Sequence, residues 1–123
     1  PNTGYKVNDI ASDFSLKNID GKFVSMSDYS DAMGIVLIFT CNHCPFSVAY
    51  EDRIIALHKS FASKGFPVVA VNSNDAVAYP ADSYEEMIVR AKEKKMPFAS
   101  ANAIICSVKL ALVGLHHLRA QLV

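Results

Sequence analysis

Ile35-Val36-Leu37-Ile38-Phe39 is an apolar run without alternation, and Cys41-Asn42-His43-Cys44-Pro45 follows it after a single threonine. A strand apolar on both faces belongs inside a sheet covered by helices, so this run is expected to be a central strand. The two cysteines stand three apart, ahead of a proline suited to a first helical turn, which puts sulfur chemistry at a strand-to-helix junction.

Beyond Pro45, the residues Tyr50, Ile54, Leu57 and Phe61 recur at helical spacing. This predicts a helix from Phe46 to Lys64 with that stripe buried in the core and with Glu51, Asp52, Arg53 and Lys59 toward water. Gly65 is placed to stop the helix, and Pro67–Asn72 reads as a second buried strand that completes a βαβ unit. Upstream, Phe14–Ile19 and Lys22–Ser25 flank an Asp20-Gly21 turn as a peripheral hairpin, and Ser27-Asp28-Tyr29 forms one helical turn. Downstream, Ser83 and Glu86 have the spacing of a capping box that opens a helix to about Lys95, with Met87, Ile88 and Ala91 inward and Pro97 closing it. After Pro97, Ala103–Cys106 is expected as a short strand and Val108–Val123 as an amphipathic helix interrupted by Gly114.

The elements describe an α/β chain, a single domain over residues 1–123 in which the pattern specifies least over 99–123. A chain of 123 residues can bury one real core and has no room for a second full domain. With 51% hydrophobic residues and zero formal net charge, neither disorder nor a broad electrostatic hold on nucleic acid is expected. No apolar run approaches the roughly 20 residues of a membrane-spanning helix. The first residues lack a basic region followed by an apolar stretch, so no signal peptide is expected and a cytoplasmic setting is favoured. Three cysteines, two of them in one motif, favour chemistry over stapling of a secreted scaffold.

If Cys41 caps the helix, Cys44 takes its third helical position and the two side chains lie roughly 60° apart about the axis. Their α carbons then stand about 5 to 6 Å apart, a separation that a disulfide spans without large backbone movement. Free helix N–H groups and the positive end of the helix dipole would stabilise a thiolate at Cys41, the expected nucleophile, and leave Cys44 as the resolving thiol. His43, when protonated, adds positive potential that makes the disulfide more oxidising. Pro45 costs little in a first turn, where its missing N–H would be unpaired anyway. Thr40, beside the nucleophile, is a candidate hydrogen-bonding residue of the site.

Ala11-Ser12-Asp13-Phe14-Ser15-Leu16, the Asp20-Gly21-Lys22 turn, Ser25-Met26-Ser27-Asp28-Tyr29 and the strand ending in Cys41-Asn42-His43-Cys44-Pro45 together resemble the redoxin branch of the thioredoxin-like superfamily. That branch contains the alkyl hydroperoxide reductase/thiol-specific antioxidant proteins. Val69–Asp75 and Tyr79-Pro80-Ala81-Asp82 further resemble a redoxin subgroup with the same Cys-Asn-His-Cys-Pro motif. The resemblance covers residues 7 to about 98 and implies a thioredoxin-like fold, a central mixed sheet flanked by helices. It also implies a thiol-disulfide oxidoreductase that works through a mixed disulfide on protein or small-molecule disulfides, is served by a thiol reductant and needs no cofactor.

A peroxide-reducing antioxidant is the near alternative. Peroxiredoxins place Thr or Ser three residues before the peroxidatic cysteine, whereas that position is Cys41 counted from Cys44 and Ile38 counted from Cys41. Ser12 stands where the family usually has proline. The Thr-Pro-like pair whose cis-proline packs beside the family's redox cysteines has no counterpart, because no proline follows Pro97. The last strands and helix are therefore expected to be altered or missing, as a frameshifted tail would make them, and an inactive incomplete domain is a further alternative.

Cys41, His43 and Cys44 could jointly hold a soft metal, which leaves a metal carrier as the binding-module alternative; no other metal site is expected. His116 and His117 are adjacent and would point to different faces of a helix, and no second Cys-x-x-Cys joins them or Cys106. Cys106 reads as a buried small hydrophobe. Asp75, Asp82, Glu85 and Glu86 read as loop and capping acids rather than as catalytic carboxylates.

Overall fold

The computed structural model describes residue 6, residues 8–102 and residues 114–119. In chain order, β1 (Ile10–Ser12), β2 (Ser15–Asn18) and β3 (Phe23–Ser25) precede β4 (Val36–Phe39), the helix α1 (Pro45–Phe61) and β5 (Val68–Asn72). After them come α2 (Tyr84–Lys94), β6 (Ala99–Asn102) and β7 (Gly114–Arg119). Five strands form one mixed sheet in the order β3-β2-β6-β5-β4, with β4, β5 and β6 parallel and β2 antiparallel to both its neighbours, β3 and β6. This is a thioredoxin-like α/β arrangement, as expected. The hairpin is an integral part of the sheet rather than peripheral, because Lys17 and Asn18 pair with Asn102 and Ala101.

All five residues of β5 are buried. Val68 and Ala70 join Ile55 of α1 and Phe98 on one face, while Val71 joins Val24 and Ala101 on the other. A valine moved from water into such a core contributes roughly 1.5–3 kcal/mol, so β5 anchors everything that hangs from its ends. Gly65, at φ 89, turns the chain from the end of α1 into β5, and a side-chain carbon of Met33 lies 2.9 Å from where a Cβ would stand. Only glycine fits both demands.

Several expectations are corrected. β4 is not central: it is the edge strand of the described sheet, and only Val36 and Ile38 pack on the core beneath α1. Its other face is open, with Phe39 69% exposed. The buried stripe of α1 is rotated, since Tyr50 and Phe61 are exposed whereas Glu51 and Ile55 are buried. The cause is a partner that spacing cannot reveal, the Arg90 guanidinium of α2, which meets Glu51 inside the helix–helix interface. In α2, Met87 and Ala91 face inward as expected, but Ile88 is exposed. Part of the segment expected as a C-terminal helix is the strand β7, paired antiparallel with β1. Gly114 starts it, a residue that costs a helix interior about 1 kcal/mol, and the ladder to β1 satisfies its backbone instead. The expected strand Ala103–Cys106 lies outside the described residues, and β6 precedes it.

Candidate active site

β4 delivers the chain to the site, and the N–H of Thr40 still donates to the carbonyl of Val71 at 2.9 Å. The ladder then ends, and Cys41, Asn42 and His43 form an open turn before α1. Pro45 lies in the first helical turn, as expected, but as its first residue, which makes Cys44 the N-cap with φ −71 and ψ 120. The expectation that Cys41 caps the helix and Cys44 sits a turn inside it is therefore corrected. Its physical reason is local: a residue before proline is pushed out of the helical region, so Cys44 can precede the helix but cannot lie within it.

Both cysteines are partly exposed thiols in this structure. The Cys44 side chain makes no hydrogen-bonded cap, yet the backbone amides of Ser47, then of Phe46, at the open end of α1 hold its thiol below the ordinary range. Burial opposes this, and the Ser47 hydroxyl and Cys41 assist. The Cys41 sulfur approaches the Ser47 hydroxyl at 3.6 Å. The helix end thus favours a thiolate at Cys44, where the sequence pointed to Cys41. Thr40 reaches the site through its backbone, and its hydroxyl makes no hydrogen bond to either cysteine.

Asp82 organises the turn from beneath. It lies on the 3-10 turn Pro80–Asp82 and is 1% exposed. Its Oδ1 accepts the backbone N–H of Asn42 at 2.6 Å and of His43 at 3.2 Å. Its Oδ2 meets Nδ1 of His43 at 2.5 Å and accepts from the Asn74 side chain at 2.7 Å. Asn42 returns a bond from its side chain to the Ala81 carbonyl at 2.9 Å, and the His43 ring stacks on Tyr79. Burial alone would push the Asp82 carboxyl up, but the bonds from Asn74, Asn42 and His43 outweigh it and hold the group below its ordinary value.

Asp82 thus lies on a loop turn, and its bonds go to the cysteine-bearing segment rather than to α2, which Ser83 caps by accepting from the Glu86 N–H at 3.3 Å. Tyr79-Pro80-Ala81-Asp82, already marked in the sequence by resemblance alone, was the signal that could have singled Asp82 out. A ring nitrogen of His43, the Cys41 sulfur and an Asp82 oxygen lie within 4.8 Å of one another, so metal-donor types are close together. The four lone-pair positions of the carboxylate are already taken by four N–H groups, and the cluster is complete as a hydrogen-bond network. Cys106 and the side chains of His116 and His117 lie outside the described residues, as does the segment where the family's cis-proline would fall.

Beside the cysteines, on the open flank of β4 and α1, runs a groove of about 560 Å³ whose lining includes Phe39, Thr40, Phe46, Ser47, Tyr50 and Leu57. Among the described residues, no helix is long and apolar enough to cross a membrane.

The AhpC/TSA family model matches residues 7–102, four residues past the point where the resemblance was expected to stop and to the end of β6. A hypothetical protein from Sinorhizobium meliloti is 28% identical, with a TM-score of 0.82 over 89% of this chain and 60% of its own. An uncharacterized conserved protein from Geobacillus kaustophilus is 37% identical, with a TM-score of 0.76 over 81% of this chain and 53% of its own. The chain therefore spans between about half and three fifths of the length of these two relatives. A thiol:disulfide interchange protein of the thioredoxin family from Chlorobium tepidum shares the fold, at 19% identity and a TM-score of 0.64 over 82% of this chain and 63% of its own. No curated protein matches the chain.

Proposed function

The chain belongs to the AhpC/TSA family, and from that premise we propose that it is a thiol-disulfide oxidoreductase in which Cys44 attacks and Cys41 resolves. The observation that carries this reading is the position of Cys44 as N-cap of α1, where backbone amides favour its thiolate while Cys41 waits three residues away on the turn. The Cys44 thiolate attacks one sulfur of a substrate disulfide, forming a mixed disulfide and releasing the first substrate thiol. Cys41, on losing its proton, attacks the Cys44 sulfur, closes the Cys41–Cys44 disulfide and releases the second thiol. Two electrons pass from the dithiol to the substrate, and an external thiol reductant restores the pair. The apolar groove beside Ser47 and the exposed aromatic rings of Phe39, Phe46 and Tyr50 suit a disulfide carried on a polypeptide.

Equilibration in glutathione redox buffers, followed by alkylation and mass spectrometry, tests the pair. A reversible two-electron transition confined to Cys41 and Cys44 is expected, and Cys41→Ser should trap the mixed disulfide on Cys44. A pair that never closes sinks the reading. Closure driven by hydrogen peroxide, through a sulfenate on Cys44 that Cys41 resolves with loss of water, would assign the peroxidase reaction to the same thiols.

A further inference from the structure

Among the described residues, one ring nitrogen of His43 has a hydrogen-bond partner and the other has none. Nδ1 faces Oδ2 of Asp82 at 2.5 Å, and an ionised carboxylate can only accept, so the ring proton on that side belongs to Nδ1. Asn74 binds the same oxygen and restrains the carboxylate from turning away. Tyr79 fixes the plane of the ring, with centroids 4.6 Å apart and planes 10° from parallel. The imidazole therefore has one orientation, its side chain is 36% exposed, Nε2 makes no hydrogen bond among the described residues, and a ring nitrogen lies within 4.8 Å of the Cys41 sulfur.

We propose that Asp82 is a positioning residue of the redox centre: it holds His43 so that Nε2 gives a proton to the departing substrate thiolate and then takes one from Cys41. The proposal rests on the oxidoreductase reading above. When the Cys44 thiolate attacks, the substrate S–S bond breaks and the first leaving sulfur takes the proton from Nε2 of the imidazolium. The neutral imidazole then removes the Cys41 thiol proton, and the Cys41 thiolate breaks the mixed disulfide. The second leaving sulfur takes that proton in turn, so two thiols depart and His43 ends neutral. Throughout, the negative charge of Asp82 balances the imidazolium without leaving its four donors.

The test compares wild type, Asp82→Asn, His43→Gln and the double variant on two disulfides. The thiolate of dithionitrobenzoate leaves without needing a proton, whereas that of hydroxyethyl disulfide needs one. The ratio of the first rate to the second is expected to rise about tenfold or more in each single variant, with no further rise in the double. A merely structural role for Asp82 would lower both rates together and leave the ratio unchanged, which overturns the proposal. A ratio that rises in His43→Gln but not in Asp82→Asn overturns it too. His43→Gln removes no buried group and keeps the comparison meaningful if Asp82→Asn folds poorly. Wild-type protein that reduces neither disulfide overturns the oxidoreductase reading and this proposal with it.

Discussion

Arg90 of α2 closes on Glu51 of α1 through two hydrogen bonds, Nε to Oε1 at 2.8 Å and Nη2 to Oε2 at 2.6 Å, and the glutamate is 4% exposed. The fork of the guanidinium matches the carboxylate edge, which makes the contact both strong and directional. It ties the helix that follows the cysteines to the helix that follows Asp82, and so supports both halves of the site.

Arg90→Met should leave Glu51 buried without its main partner. The expected cost is about 2 kcal/mol, below the roughly 3–5 kcal/mol of orphaning a buried charge outright, because Lys94 stays 3.7 Å from Oε2 and the arginine is itself partly exposed. A lower midpoint in urea with an unchanged slope would show it. An unchanged midpoint would mean that the helices hold together by apolar contact alone.

The low-lying Cys44 thiol should be visible in its alkylation. With rising pH, Cys44 is expected to react with iodoacetamide before a free cysteine would, because the amides of Ser47 and Phe46 favour its thiolate. Ser47→Ala keeps the amide and removes only the hydroxyl, so the Cys44 profile should move upward in pH without reaching that of a free thiol. Peptide-level mass spectrometry separates it from Cys41, and a Cys44 profile already like that of free cysteine refutes the assignment.

His58 links α1 to β5, its Nδ1 accepting the Val68 N–H at 3.1 Å. Burial pushes its pKa down, so the folded chain favours the neutral ring more than the unfolded chain does. Its contribution to stability is complete above the unfolded-state value near 6.5 and is lost as the pH falls from there toward the lower folded-state value. The urea midpoint of wild type should therefore drop between about pH 7.5 and about pH 5.5, and by less in His58→Gln. Equal drops in the two proteins would exclude His58 as the source.

Much of this was legible locally. The unbroken apolar run of β4, the fully buried β5, the Asp20-Gly21 hairpin and the Ser83 cap each depend on residues within a few positions of one another, and each forms over the residues expected, although the sheet puts β4 at its edge and takes in the hairpin through β2. The N-cap position of Cys44 was written locally as well, since Pro45 disfavours the helical region for the residue before it, but the reading placed the cap at Cys41.

The sequence by itself determined the strand-turn-helix frame and the pair of thiols at its junction, because propensity, periodicity and proline sterics act along the chain, and its resemblance to the redoxins implied the thioredoxin-like class. Only the tertiary structure decided which acids matter. Glu51 is buried because Arg90 lies 39 residues away in sequence and beside it in space, and His43 is oriented because Asp82, at the same separation, comes beneath it. A charged side chain reads as solvent-facing until its partner is known, since the cost of burying it is set by groups that chain order does not bring together.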